Sequence, residues 1–308
     1  MLKKILMVCL MISGMAITFE AAQGALEEWR DNIPSTAPWS STRPYSQLDP
    51  RNFSPENEPD IDMFISSWTD SHPVPGDGGL IERHILTPLE GEPLKPTRKG
   101  AVLTDIKRFC HVAIQAMTST RPLTLENEQR IIYIDSGKGI LTTGREKITL
   151  YEGIGLLIPP GIEFTLTNSG DEPLTMYIIA EPIPEEFKPN TEILVRDENA
   201  LNLIPRPGHW AHNAKPLFAK EDGLALLVGI SFVWIDPMTM SQPHSHEETV
   251  EEVWIALEGD ITILLGKKLR KMSPGMAFKV PPNGTTPHST INNTYKAFKL
   301  IWMMKLAD

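Results

Sequence analysis

From residue 101 onward, apolar positions come in short runs of strand length separated by polar turns. Residues 102–106, 110–117, 130–134, 139–142, 147–150, 156–158, 163–167 and 174–180 each have strand length and β-branched content. Turn residues separate them at Asp135-Ser136-Gly137, Thr143-Gly144-Arg145, Glu152-Gly153, Pro159-Pro160-Gly161 and Asn168-Ser169-Gly170-Asp171. A second series occupies 224–234, 239–242, 253–257, 261–265, 269–272, 276–280 and 295–304. Short strands divided by Gly and Pro turns predict an all-β sandwich or barrel.

The two series repeat one pattern. A single shift carries Arg130 to Glu252, Gly144 to Gly266, Gly153 to Gly275, Pro159 to Pro281 and Pro160 to Pro282. Matched glycines in one register imply matched tight turns, so the sequence predicts one small barrel in tandem. Around the barrels the pattern is irregular. Residues 25–60 contain Pro34, Pro38, Pro44, Pro50, Pro55 and Pro59 and read as an extended arm able to wrap the body or a second subunit. Residues 61–68 are apolar and fit either a short helix or an edge strand. Residues 80–86 read as a strand, with Ile81, His84 and Leu86 as core contacts. Residues 183–219, rich in Pro, Glu and Asn, read as a linker. The expected divisions are therefore 1–24, an N-terminal arm with edge strands at 25–97, barrels at 98–182 and 222–308, and a linker at 183–221.

Composition narrows the partners. The chain has 308 residues, enough for two cores, and a formal charge of -10, which argues against nucleic acid or an anionic membrane surface. Residues 1–24 read as a Sec-type signal peptide: Lys3 and Lys4, an apolar stretch over 5–16, and small residues at Ala22 and Gly24 before a cut preceding Ala25. The expected location is secreted or periplasmic, without a stable membrane anchor after cleavage. The competing reading keeps the segment as an uncleaved anchor. Cleavage removes Cys9 and leaves Cys110 alone, so no intrachain disulfide is expected; Cys110 reads as a buried structural thiol. A monomer and a homodimer both fit the sequence.

The chemistry concentrates in residues 243–259. His244 and His246 stand one residue apart, which in a strand points both rings the same way. Glu252 follows, and His288 comes after a turn containing Pro281 and Pro282. Three imidazoles and a carboxylate form a ligand set suited to a divalent transition metal; the bland alternative is solvent-facing histidines. The repeat shift sets Pro122 opposite His244, Thr124 opposite His246, Arg130 opposite Glu252, and Phe164 or Leu166 opposite His288. The first barrel is therefore expected to lack the metal. Arg130 there would bind an anion or pair with Glu126 or Glu128.

These residues resemble the cupin superfamily, and specifically a bicupin. His244-x-His246, Glu252 with Gly259 seven residues on, Gly275, Pro281, Gly284, His288 and Asn292 stand in the order of that family's two motifs. Three departures exist: no Gly stands six residues before His244, the spacing from His246 to Glu252 is longer than the pattern, and so is the segment from Pro282 to His288. The distance to Gly259 favours Glu252 over Glu251, and Glu247, Glu248 and Glu251 read as flanking charge. Glu252, Trp254 and Ala256 are expected to face the lumen.

The resemblance implies two double-stranded β-helix (jelly-roll) barrels. It also implies one divalent transition metal (Mn, Fe, Zn, Ni or Cu) held by His244, His246, Glu252 and His288 with positions open to substrate. Gln242, on the face of His244, is a candidate substrate contact. Trp254 and Phe278 either stack on a substrate ring or are plain core. His209 and His212 would supply a general base if the linker covers the second barrel, and would be solvated otherwise. The expected function is an exported metalloenzyme acting on a small oxygen-rich molecule (sugar acid, hydroxy acid or phenolic acid) by oxygenation, decarboxylation, isomerisation or lyase chemistry. The alternative is a non-catalytic binding protein for a sugar-like molecule, with a structural metal.

Overall fold

The computed structural model describes residues 58–206 and 209–307; the signal-peptide reading and most of the arm lie outside them. Strands form two large sheets, each backed by a four-stranded one. The first large sheet runs, in order, Leu194–Asp197, Ile154–Ile158, Glu128–Ser136, Leu174–Pro182, Arg108–Ile114, Ile81–Pro88 and Val74–Pro75, with Ala101–Leu103 paired beside Ile81–Pro88. Its small sheet holds Lys147–Tyr151, Lys138–Thr143, Glu163–Asn168 and Leu123–Thr124. The second large sheet runs Ile65–Ser67, Met276–Lys279, Glu251–Glu258, Phe298–Lys305, Gly229–Ile235, His212–Ala219 and Ile204–Pro205. Its small sheet holds Thr239–Met240, His288–Asn292, Ile261–Leu265 and Lys268–Met272. This is the expected all-β, jelly-roll architecture. No helix among the described residues is long and apolar enough to cross a membrane.

Sequence period explains the layering. In Glu163–Asn168 the alternate residues Phe164, Leu166 and Asn168 are buried, as befits a strand with one wet face. Glu128–Ser136 is buried on both faces. Ile132 and Ile134 fill the first barrel, while Ile131 and Tyr133 join a larger cluster with Phe232, Val253 and Ile255 of the second half. Burying each such aliphatic side chain stabilises the fold by about 1.5–3 kcal/mol.

The repeat extends further than the two strand series. Ile65–Ser67 pairs with Met276–Lys279 of the second half, and Leu194–Asp197 pairs with Ile154–Ile158 of the first. A 3-10 turn follows each of these strands. Ser67 caps one through Thr69 N and Asp197 caps the other through Asn199 N. Trp68 N donates to Gly275 O at 3.2 Å, and Glu198 N donates to Gly153 O at 2.9 Å. Gly153 and Gly275 are themselves repeat partners, both left-handed at φ 96 and 89. Each half therefore lends an edge strand to the other.

This revises the sequence expectation in three places. Residues 61–68 are both a turn and an edge strand: Ile61–Phe64 is 3-10, and Ile65–Ser67 is extended. Residues 183–221 are not a plain linker, because Leu194–Asp197 and His212–Ala219 are sheet strands. In Ile81–Pro88 a bulge shifts the register after His84, so Glu82, Ile85 and Leu86 are buried while Ile81 and His84 are half-buried. Only a long-range partner makes the crossed strands regular, and neither carries enough alternation to announce itself.

Two buried carboxylates tie the halves. Glu181 accepts N–H groups from Ala225, Leu226 and Leu227 at 3.2, 2.9 and 2.7 Å. Glu251 accepts from Thr104 N and Ile106 N at 2.5 and 2.9 Å and pairs with Lys279 Nζ at 2.8 Å. Glu251 is thus no flanking charge: it is fully buried, whereas Glu247 and Glu248 are exposed.

Candidate metal centre

Strand alternation sends Glu252, Trp254 and Ala256 to the lumen side of Glu251–Glu258. Glu252 Oε1 accepts from Trp302 Nε1 at 2.6 Å, across a pair of neighbouring strands. His288 opens the strand His288–Asn292, and His244 lies opposite it in an isolated bridge. His246, two residues on, points the same way; its ring centroid is 4.9 Å from that of His244 and 5.1 Å from that of His288. One nitrogen from each of His244, His246 and His288 falls within a group no wider than 4.8 Å.

The ring nitrogens are arranged for a shared centre. His244 Nδ1 donates to Gln242 O at 2.9 Å, which leaves the Nε2 lone pair free. That Nε2 is buried without a hydrogen-bond partner. His288 Nε2 stands 3.0 Å from Glu252 Oε2 but outside hydrogen-bond alignment, and is likewise unpartnered. His246 Nε2 bonds the same Glu252 oxygen at 2.8 Å. Orphaned buried imidazole nitrogens are costly unless something accepts their lone pairs. Donor types, number and convergence all fit a divalent transition ion.

Electrostatics separate the members. Burial, reinforced by the charge of His288, pushes His244 down to about 4. Burial also opposes charge on His246, but Glu252 overcomes it and holds His246 above the usual histidine range. Glu252 is itself held well below the usual carboxylate range: burial works against ionisation, and His288 and His246 outweigh it.

Trp254 and Phe278 stack at 6.5 Å and 10° and are both buried. Trp254 also meets His212 edge-on at 5.7 Å and Trp302 at 6.5 Å, so its indole lies between the residues around the cluster; its Nε1 is buried and unpartnered. Gln242 contributes its backbone carbonyl to His244.

Trp302, Arg206 and the backbone at Thr249 escaped the sequence reading; His209 and His212 did not. Trp302 orients the carboxylate. The hairpin Ile204–Pro205 with His212–Ala219 brings Arg206, His209 and His212 beside the cluster: Arg206 N donates to His212 O at 2.9 Å. His212 is buried, stacks on His209 at 5.3 Å, and is pushed down to about 3 by burial and then by His209. His209 in turn meets His244 edge-on at 5.2 Å. Finally, Thr249 adopts φ 68, an uncommon state for a β-branched residue, between His246 and Glu252. This stretch holds the residue that lengthens the spacing between those two side chains. The paired histidines at 209 and 212 were the available signal for the hairpin; nothing local marked Trp302.

The structure corrects the register by which the first barrel is matched to the second. Asn168 donates to Ile114 O and Glu172 O, as Asn292 donates to Ile235 O and Lys296 O, which makes Phe164 the counterpart of His288. Phe164 pairs with Leu123 as His288 pairs with His244. Leu123 and Leu125, not Pro122 and Thr124, therefore stand where His244 and His246 do. Leu123, Leu125 and Phe164 are buried core. Arg130 bonds Glu128 at 2.8 Å and Asp77, which resolves its partner.

A model of the cupin domain matches residues 231–304. No curated protein matches the chain by sequence. Among solved structures, the chain is similar to a putative glyoxylate induced protein from Pseudomonas aeruginosa at TM-score 0.62 and 14% identity, covering 79% of this chain and 87% of that one. It is similar to AerE from Microcystis aeruginosa at 0.58 and 13%, covering 80% and 100%. It is also similar to an oxalate decarboxylase of Bacillus subtilis, in a structure concerned with its Mn(II) centers, at 0.57 and 10%, covering 80% and 78%. At these identities the likeness is one of fold.

Proposed function

We propose that the second barrel, whose residues 231–304 match the cupin domain, holds one divalent transition metal and acts as a metalloenzyme on a small oxygen-rich molecule. His244, His246, Glu252 and His288 would hold the ion. The observation that carries this reading is the meeting of three imidazole nitrogens within 4.8 Å, two of them buried and without a hydrogen bond. A bound ion of this class polarises a carbonyl or hydroxyl, or activates a coordinated oxygen species.

The protein's own groups have defined tasks. Gln242 O fixes the His244 tautomer, and Trp302 Nε1 fixes Glu252. Trp254 and Phe278 wall the chamber with apolar surface and exclude water. His212 stays neutral at ordinary pH, and His209 stacks beside it. Suitable reactions are oxygenation, decarboxylation, isomerisation or lyase chemistry on a sugar acid, hydroxy acid or phenolic acid; Mn, Fe, Zn, Ni and Cu all suit the donor set.

Metal analysis of purified protein, followed by a screen of hydroxy acids and sugar acids, tests the reading. His244→Ala and Glu252→Ala should lose the metal and the activity together; full metal content in both would overturn the ligand assignment. Turnover absent from metal-loaded protein across the screen, with tight binding retained, would favour the non-catalytic binding protein. We further propose export directed by residues 1–24. The intact mass of periplasmic protein should then correspond to a chain beginning at Ala25.

A further inference from the structure

Arg206 stands apart from the other arginines. Its guanidinium lies 4.0 Å above the ring of Trp302, the residue whose Nε1 holds Glu252. Its charge acts on Glu252, His246 and His212. Arg83, Arg108, Arg130, Arg196 and Arg270 are also partly or wholly buried, and each uses its guanidinium on a carboxylate or a carbonyl. Among the described residues, Arg206 is the one partly buried arginine with no hydrogen bond or ion pair from its guanidinium.

A guanidinium stacked on an aromatic face keeps its edge N–H groups free, in the planar fork that suits two oxygens. Desolvating that fork is unfavourable unless an acceptor meets it. The charge balance points the same way. Three neutral imidazoles and one carboxylate around a divalent ion leave one net positive charge, and Arg206 adds another. A site carrying that excess calls for an anionic occupant.

We propose that Arg206 is the carboxylate-binding residue of this site, taking the anionic oxygens of a small organic acid lodged against the three-histidine cluster. This rests on reading the cluster as a metal centre, and it narrows the substrate to one with an ionised carboxylate. The hairpin Ile204–Pro205 with His212–Ala219 then supplies specificity while the barrel supplies the centre.

The test is calorimetric titration of purified protein with glycolate and oxalate, and with the uncharged glycolamide and oxamide, with metal content measured on the same samples. The acids should bind wild type, and the amides at least about tenfold more weakly. Arg206→Gln should weaken the acids by about 10- to 100-fold, the loss expected for a charge-assisted bond, and leave the amides and the metal content unchanged. Arg206→Lys should fall between. Equal binding of acids by Arg206→Gln and wild type would overturn the proposal. So would a parallel loss of acids and amides, which is the mark of mere packing on Trp302, or a metal-loaded wild type that binds neither acid. If wild type carries no metal, the metal-centre reading fails on that count, and the same titrations of the metal-free protein still decide the role of Arg206.

Discussion

His244 and His288 exchange both of their backbone hydrogen bonds, at 3.2 and 2.9 Å, which holds their rings 4.3 Å apart. In the first barrel the equivalent pair is Leu123 and Phe164. One backbone arrangement thus carries a polar pair in one half and an apolar pair in the other. Transplanting the apolar pair as His244→Leu with His288→Phe should abolish metal binding while keeping the barrel. Circular dichroism should show an unchanged strand signature.

Trp302→Phe keeps the ring and removes one donor. Glu252 would lose its 2.6 Å bond and with it a fixed direction. Metal affinity, measured by competition with a chelating dye, should drop about 10- to 100-fold, as for other lost supports of metal ligands.

Glu251 and Lys279 test the buried tie between the halves. Burial alone would raise the Glu251 pKa, but Lys279 and the Thr104 donors bring it below the usual glutamate range. A carboxylate depressed on folding contributes stability that is fully present above its unfolded value, about 4.3, and is lost as pH falls through the folded value. Urea midpoints should therefore decline below about pH 5. Lys279→Met alone should cost about 3–5 kcal/mol at neutral pH, because it strands a buried charge. Adding Glu251→Gln should recover part of that and flatten the acid dependence.

Gly275 and Gly144 form a matched control. A Cβ at Gly275 would sit 2.6 Å from Trp68 Nε1 at φ +89, whereas one at Gly144 meets nothing within 4 Å. Gly275→Ala should destabilise by about 1–3 kcal/mol, and Gly144→Ala by less than about 0.5 kcal/mol, read as shifts in denaturant midpoint.

Most of the barrel framework was legible because short β-branched runs, turn residues and paired glycines are local signals. The histidines were legible for the same reason: His244 and His246 sit at strand spacing, and His288 follows its turn. The crossed strands were not. Ile65 pairs with Phe278, so its structure depends on a partner more than two hundred residues away. Arg206 was hidden in a Pro-rich run that reads as linker until His212 is seen to begin a sheet strand. Glu251 was misread because it stands beside the lumen-facing Glu252; in a sheet buried on both faces, the residue pointing away from the lumen is also inside.

The edge strands at Ile65–Ser67 and Leu194–Asp197 make contiguity along the chain a poor guide to what can be separated. A cut near residue 190 yields two pieces, each missing a strand the other carries and each baring an open sheet edge of the kind that aggregates. Produced together, the same pieces retain every pairing the intact chain has. The two barrels are best regarded as one interlaced body whose fragments complement each other, and the segment 231–304, taken alone, would be left without its flanking strands on both sides.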